Sequence, residues 1–316
     1  MKFDFLRVVA VVGLACSAVP AHALNTRTWI SGTGADGPGC GPIATPCRTL
    51  QYAHDNTSAG GEIDVKDSAG YGSVVITKAI SIVGDGSISG VLASSGGNAI
   101  TVNAATSDTV ILRGLTVEGA GVGRSGVVLN TAGRLDIANC VFQNFSGSIP
   151  DGNGIFLQHS SGSPKVTIVN TTASHNSNAG ILYRVFSMST ATVIVDRSTL
   201  IGNGDTGLLV TTTSMDGPSV NVTNTLSSAN GGDGFYLTGS GLRIAIDQAT
   251  ATDNGRHGIF VASSASAVVG RSLAARNTNY GLNGGGSANL ASFKNNQFFN
   301  NGAGATNGTI GNAALQ

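Results

Sequence analysis

Asp205, Asp233, Arg256, His257 and Tyr280 each stand one or two residues before a glycine that opens an apolar triplet. Asp253 and Arg276 sit slightly earlier in two of the same blocks. Two carboxylates, a guanidinium and an imidazole are what proton transfer on an acidic sugar polymer requires, if the fold brings them to one corner. The competing reading is conformational: turns collect Asp, Asn and Gly for backbone reasons, and such groups are then simply solvated. The acids are separated by other residue types, so calcium lacks a clustered oxygen cage. No metal site and no cofactor is evident.

The elements that must position these residues form a repeat. The glycine blocks are Gly126-Val-Val-Leu, Gly154-Ile-Phe-Leu, Gly180-Ile-Leu-Tyr, Gly207-Leu-Leu-Val, Gly234-Phe-Tyr-Leu, Gly258-Ile-Phe-Val and a degraded Gly281-Leu282, at intervals of 28, 26, 27, 27, 24 and 23 residues. Four residues before five of these glycines stands an asparagine: Asn176, Asn203, Asn230, Asn254 and Asn277. A second apolar alternation follows each block, at Val166/Ile168, Val193/Val195, Val220/Val222, Ile244/Ile246 and Val268. A unit of this size with period-2 apolar pairs and no helical pattern is one coil of a β-solenoid. Residues of equal phase then stack about 4.8 Å apart. Stacked asparagines can bond amide to amide, and the glycine fits a bend needing positive φ or close backbone approach. Roughly ten coils are expected.

Alternation along the strand after each glycine points its second apolar residue outward. Val128, Phe156, Leu182, Leu209, Tyr236 and Phe260 then form an outward stripe over six coils. A contiguous apolar stripe is either covered by another part of the chain or sticky. Sugar rings could stack on Phe156, Tyr236 and Phe260, with Arg184 placed to pair with an anionic saccharide. The stripe could equally mediate self-association.

The N-terminal run Pro46-Cys47-Arg48-Thr49-Leu50-Gln51-Tyr52-Ala53, followed by Gly60-Gly61-Glu62-Ile63-Asp64-Val65 and Gly70-Tyr71-Gly72, resembles the opening of the right-handed parallel β-helix proteins, the fold of pectate lyases and polygalacturonases. The Asn-x-x-x-Gly-Ile-x-Leu coil resembles their carbohydrate-associated repeats. The resemblance implies an all-β, right-handed parallel β-helix whose open end is covered by an amphipathic helix, with Leu50 and Ala53 facing inward. It also implies catalytic sets to look for. Pectate lyases combine clustered calcium-binding acids with an Arg or Lys base. Polygalacturonases carry Asn-Thr-Asp, Asp-Asp, Gly-His-Gly and Arg-x-Lys. None is complete here: His257-Gly258 is similar to part of Gly-His-Gly, but Arg256 replaces the first glycine and no Asp-Asp pair exists. The resulting expectation is a polysaccharide-associated binding protein. The alternatives are a polysaccharide lyase or epimerase-type enzyme working from the Asp205/Asp233/Arg256/His257 corner, and a structural or adhesion rod associating through its stripe.

Composition agrees with strands and turns. Charged residues are 11%, glycine is 46 of 316, hydrophobic residues are 41% and net charge is zero. Helical bundles and disordered chains have the opposite balance. Neutral charge without basic runs argues against nucleic acid. Lys2, Arg7, the apolar run Val8 to Ala15 and Ala21-His22-Ala23 read as a signal peptide cleaved after Ala23, with a lipoprotein alternative at Cys16. A secreted, periplasmic or cell-surface location follows, with no later segment able to span a membrane. Cys40 and Cys47 flank a Gly/Pro-rich turn and would pair under oxidising conditions. Cys140 lies in an apolar strand and reads as a buried thiol. His54 reads as a surface residue of the cap helix, and His159 and His175 as turn residues. The expected divisions are a signal at 1–23, a cap at 24–60, the β-helix at 61–301 and a tail at 302–316. Phe293, Phe298 and Phe299 are expected to close the far end.

Overall fold

Short strands with alternating apolar residues can bury only one face, so they satisfy themselves by curling around a shared interior and stacking on copies of themselves. The computed structural model describes residues 24–84, 89–185, 190–213 and 217–314 and shows this arrangement. The signal peptide expected at 1–23 lies outside the described residues. The chain is an all-β right-handed parallel β-helix with three sheets. The first has twelve strands, from Asn25–Ile30 to Ile310–Asn312. The second has ten, from Ala69–Gly70 to Gln297–Phe299, and the third ten, from Val74–Ile76 to Gly304–Asn307. Each coil passes through the sheets in that order.

Register holds coil after coil along the first sheet: Leu135 lies beside Val166, then Val193, Val220, Ile244 and Ala267. These side chains are buried, as are Ile137, Ile168, Val195, Val222, Ile246 and Val269. The sequence reading placed Val268 in this phase. The structure moves it by one residue: Val268 pairs with outward-facing Ala245, and Ala267 and Val269 fill the interior.

Two bends per coil use left-handed backbone. Asn139, Asn170, Arg197, Asn224, Gln248 and Arg271 occupy one bend, with φ between 45° and 55°. Asn144, His175, Ala229, Asp253, Arg276 and Asn300 occupy the other, each directly before the ladder position. Asparagine tolerates this conformation best among side-chain-bearing residues, which explains part of its abundance.

The asparagine ladder forms. Asn176 Nδ2 donates to Asn203 Oδ1 at 2.9 Å, Asn203 to Asn230 at 3.0 Å, Asn230 to Asn254 at 3.0 Å and Asn254 to Asn277 at 2.9 Å. It extends one rung further, from Asn277 to Asn301. That rung escaped the motif because the following glycine is replaced by Ala305. At the other end Phe145 takes the ladder position, its backbone N–H donating to Asn176 Oδ1.

The repeat glycines Gly154, Gly180, Gly207, Gly234 and Gly258 do not have positive φ. Their role is close approach. A Cβ on Gly180 would lie 2.8 Å from the Gly207 carbonyl oxygen, and one on Gly234 2.5 Å from that of Gly258.

The helix Leu50–Asn56 covers the N-terminal end, capped by the Thr49 hydroxyl accepting from Tyr52 N–H, with Leu50 and Ala53 buried. His54 is buried too, contrary to the surface reading. Its Nε2 accepts the Thr77 N–H while Nδ1 meets Asp55. Cys40 and Cys47 form a disulfide. Cys140 is a buried thiol 3.3 Å from the Ala138 carbonyl oxygen. The stretch 302–316 contributes the strands Gly304–Asn307 and Ile310–Asn312 to the sheets. Phe298 packs partly against the interior, whereas Phe299 is 61% exposed and closes nothing. No helix is long and apolar enough to cross a membrane among the described residues.

Candidate functional site on the outer face of the third sheet

The chain bends at Gly180, Gly207, Gly234 and Gly258. The residue before the glycine therefore lands outside the solenoid, beside the second residue after it. His257 and Phe260 show this contact directly, with ring centroids 5.1 Å apart. Two features that the sequence presented separately, the polar corner and the outward stripe, thus become adjacent columns of one surface.

Three side chains of the polar column are acceptors serving the neighbouring coil's backbone. Asn153 Oδ1 accepts the Ala179 N–H at 3.2 Å, Asp233 Oδ1 the His257 N–H at 2.8 Å, and His257 Nδ1 the Tyr280 N–H at 3.2 Å. Asp233 is fully buried, and its Oδ2 accepts from Arg256 Nη2 at 2.7 Å. Burial pushes the Asp233 carboxyl up, against the pull of the His257 N–H and the Arg256 guanidinium. Arg256 is half-exposed, and the same Nη2 lies 3.9 Å from the partly exposed Asp205 Oδ1. A Cβ on Gly232 would sit 2.3 Å from Asp205 Oδ1. A side chain at 232 would displace the Asp205 carboxylate.

The structure brings Asp205, Asp233, Arg256 and His257 together but does not make an acid/base relay of them. The Asp233 carboxylate bonds the backbone of His257, not its ring. The Tyr280 N–H fixes Nδ1 as an acceptor, so the neutral ring carries its proton on Nε2. Asn283 Nδ2 lies 3.2 Å from Nε2, and Asn283 Oδ1 accepts from Asn307 Nδ2 at 3.0 Å. Burial holds the His257 pKa below its ordinary value, with Asp233 opposing. Asp253 and Arg276 form a two-bond exposed pair of their own.

The apolar column divides in two. Val128, Phe156 and Leu182 are buried together with Ala179, in a cluster separate from the interior. The Arg184 guanidinium lies 5.6 Å from the Phe156 ring. Phe156 is 3% exposed, which corrects its reading as a sugar platform, and Arg184 is engaged over it. Further along, Leu209, Tyr236 and Phe260 are only partly buried. Tyr236 and Phe260 stack at 4.9 Å between centroids and 7° between planes, offset as aromatic pairs prefer. His257 stacks on Tyr280 at 5.8 Å. Asn283 and Tyr280 complete this patch. Asn283 was missed in the sequence, although it stands two residues after Gly281, in phase with Tyr236 and Phe260.

Open hollows lie at the C-terminal end between Leu282, Phe298 and Ile310 and around the Cys40 loop. The candidate site is an open face rather than a cleft. Among the described residues, metal-ligating side chains gather only at Asp36, Cys40 and Cys47. Two of these share the disulfide, and Asp36 accepts from the backbone of Arg48 and Thr49 and from the Thr49 hydroxyl. That grouping does not fit a cation.

A repeat of this kind, closed into three parallel sheets, defines the right-handed β-helix proteins. The family described as "Right handed beta helix region" matches residues 54–216 and 185–312, and the chain belongs to it. Among solved structures it is similar to the pectate lyase Pel9A, with a TM-score of 0.52, 15% identity, and coverage of 92% of this chain and 80% of that one. It is also similar to the Azotobacter vinelandii mannuronan C-5 epimerase AlgE6 A-module, with a TM-score of 0.50, 13% identity, and 81% and 92% coverage. The enzymatically active domain of bacteriophage CBA120 tailspike protein 2 matches with a TM-score of 0.50 and 15% identity over 84% of this chain and 43% of that one. At these identities the likeness concerns the fold. No curated protein matches the sequence.

Proposed function

We propose that this protein binds polysaccharide along the outer face of its third sheet. The observation that carries the reading is the partly exposed Tyr236–Phe260 stack, which meets the ring of His257, the residue after Arg256 of the Asp205/Arg256 pair. Apolar ring surface next to fixed charged groups is the combination that orients a sugar. Similar folds in a pectate lyase and a mannuronan epimerase support it as precedents for polymers lying on β-helices. Binding is favoured over acid/base catalysis because Asp233 is buried against Arg256 and the His257 ring is capped by a backbone N–H. The same reading places the protein outside the cytoplasm, with residues 1–23 as its signal, a location in which the Cys40–Cys47 bond persists.

The test is a glycan array probed with the full chain and with Tyr236→Ala. Signal on one glycan class, lost in the variant, is expected. A blank array sinks the proposal. Release of unsaturated uronate, read by absorbance near ~232 nm, would instead make the protein a lyase. A dimer dispersed by Tyr236→Ala would make the face a self-association surface.

A further inference from the structure

Resting on that reading, we infer that the ligand is an uncharged saccharide, bound by its hydroxyl groups between Asp205 and Arg256, and not a uronic-acid polymer. The reason is the charge of the face. Arg256 is the one cation in the corner, and it faces two carboxylates, Asp233 at 2.7 Å and Asp205 at 3.9 Å. His257 is held towards its neutral form by burial, and the neighbouring Arg276 closes on Asp253 with two hydrogen bonds. The corner therefore carries no excess positive charge. A sugar carboxylate reaching the Arg256 guanidinium would come within a few ångströms of Asp205, whose charge repels it.

A neutral sugar meets no such conflict. Asp205 is partly exposed and offers acceptor lone pairs to hydroxyl donors. Arg256 is half-exposed and keeps N–H groups beyond the Nη2 that meets Asp233. A vicinal diol spans such a carboxylate–guanidinium pair, donating to one and accepting from the other. Gly232 lets the carboxylate sit there: a Cβ at 232 would fall 2.3 Å from Asp205 Oδ1 and displace it. The Tyr236–Phe260 stack supplies the apolar shelf beside the pair.

The full chain is assayed on an array holding neutral glycans and uronic-acid glycans side by side, at low and at raised salt. The expected result is at least about tenfold preference for neutral glycans, unchanged by salt because no net charge is paired. Gly232→Ser is expected to weaken that signal by about tenfold by pushing the Asp205 carboxylate out of place. Asp205→Asn removes the repelling charge and is expected to raise retention of uronic-acid glycans above that of the parent, a gain that a misfolded variant could not produce. Preference of the parent for uronic-acid glycans overturns this inference and leaves polysaccharide binding standing. A blank array overturns both. An Asp205→Asn protein that still refuses uronic-acid glycans while binding neutral ones overturns the charge argument.

Discussion

Replacing Asn230 by alanine tests whether the ladder carries stability or merely accompanies it. Asn230 Oδ1 accepts from the Asn203 backbone N–H and from Asn203 Nδ2, both at 3.0 Å. Its Nδ2 donates to Asn254 Oδ1 at 3.0 Å, and to the Leu200 carbonyl and the Ser227 hydroxyl at 3.1 Å each. All of this is buried. Asn203 Nδ2 keeps its bond to the Ala173 carbonyl and Asn254 Oδ1 its bond from the Asn230 N–H, so neither amide is stripped bare. The Asn203 N–H loses its ladder acceptor. One orphaned buried donor costs about 1–3 kcal/mol, and the lost side-chain bonds add about 1 kcal/mol each in net terms. A loss of about 3–5 kcal/mol is expected. Asn301→Ala at the partly buried last rung should cost about 1–2 kcal/mol, because water can replace what is removed. Solenoids can unfold in segments, so denaturant midpoints are best paired with amide exchange. The Asn203 amide should lose about 100-fold protection in Asn230→Ala. A loss below about 1 kcal/mol, or one no greater than for Asn301→Ala, refutes the reasoning.

Gly234→Ala puts a Cβ 2.5 Å from the Gly258 carbonyl oxygen, a backbone atom that cannot yield without separating coils. It should cost at least about 2 kcal/mol in a thermal melt, whereas Gly37→Ala, with nothing within 4 Å, should stay within about 0.5 kcal/mol. Equal melts for the two would show that close stacking is not why these glycines are there. His159 is buried against Tyr183 without a hydrogen-bond partner, and burial lowers its pKa to about 4. A depressed histidine disfavours folding once the unfolded chain binds the proton, so stability should fall as pH drops from about 6.5 towards 4, by at most about 3 kcal/mol. His159→Phe should flatten that window, and an unchanged pH slope would mean the destabilisation comes from other groups.

Much of the fold was readable because a solenoid writes its geometry into periodicity. The Asn-x-x-x-Gly spacing places one amide above the next, and the period-2 pairs declare which residues face in. The reading failed where substitution broke the motif without breaking the coil: Ala305 in place of glycine hid Asn301, and the 267–269 strand was placed one residue out of phase. The site was half legible. Asp205, Asp233, Arg256 and His257 were found by phase. Their roles were not, because Asp, Asn and His at that position look like chemistry and in fact receive backbone N–H groups from the next coil. Phe156 and Tyr236 share a phase and differ in exposure, which depends on what lies across them.

The sequence by itself determined the coil, the ladder and most inward faces, since each follows from local spacing repeated at a fixed period, and the disulfide partners, which flank one short Gly/Pro-rich segment. The tertiary structure decided what the spacing cannot carry. The bend at Gly180, Gly207, Gly234 and Gly258 joined the polar corner to the aromatic stripe. The direction of the Asp233 carboxylate, towards Arg256 and the His257 backbone, removed the proton relay and left a face with no excess positive charge. Contacts across coils depend on side-chain direction and burial at ångström scale, and one-dimensional phase does not contain them.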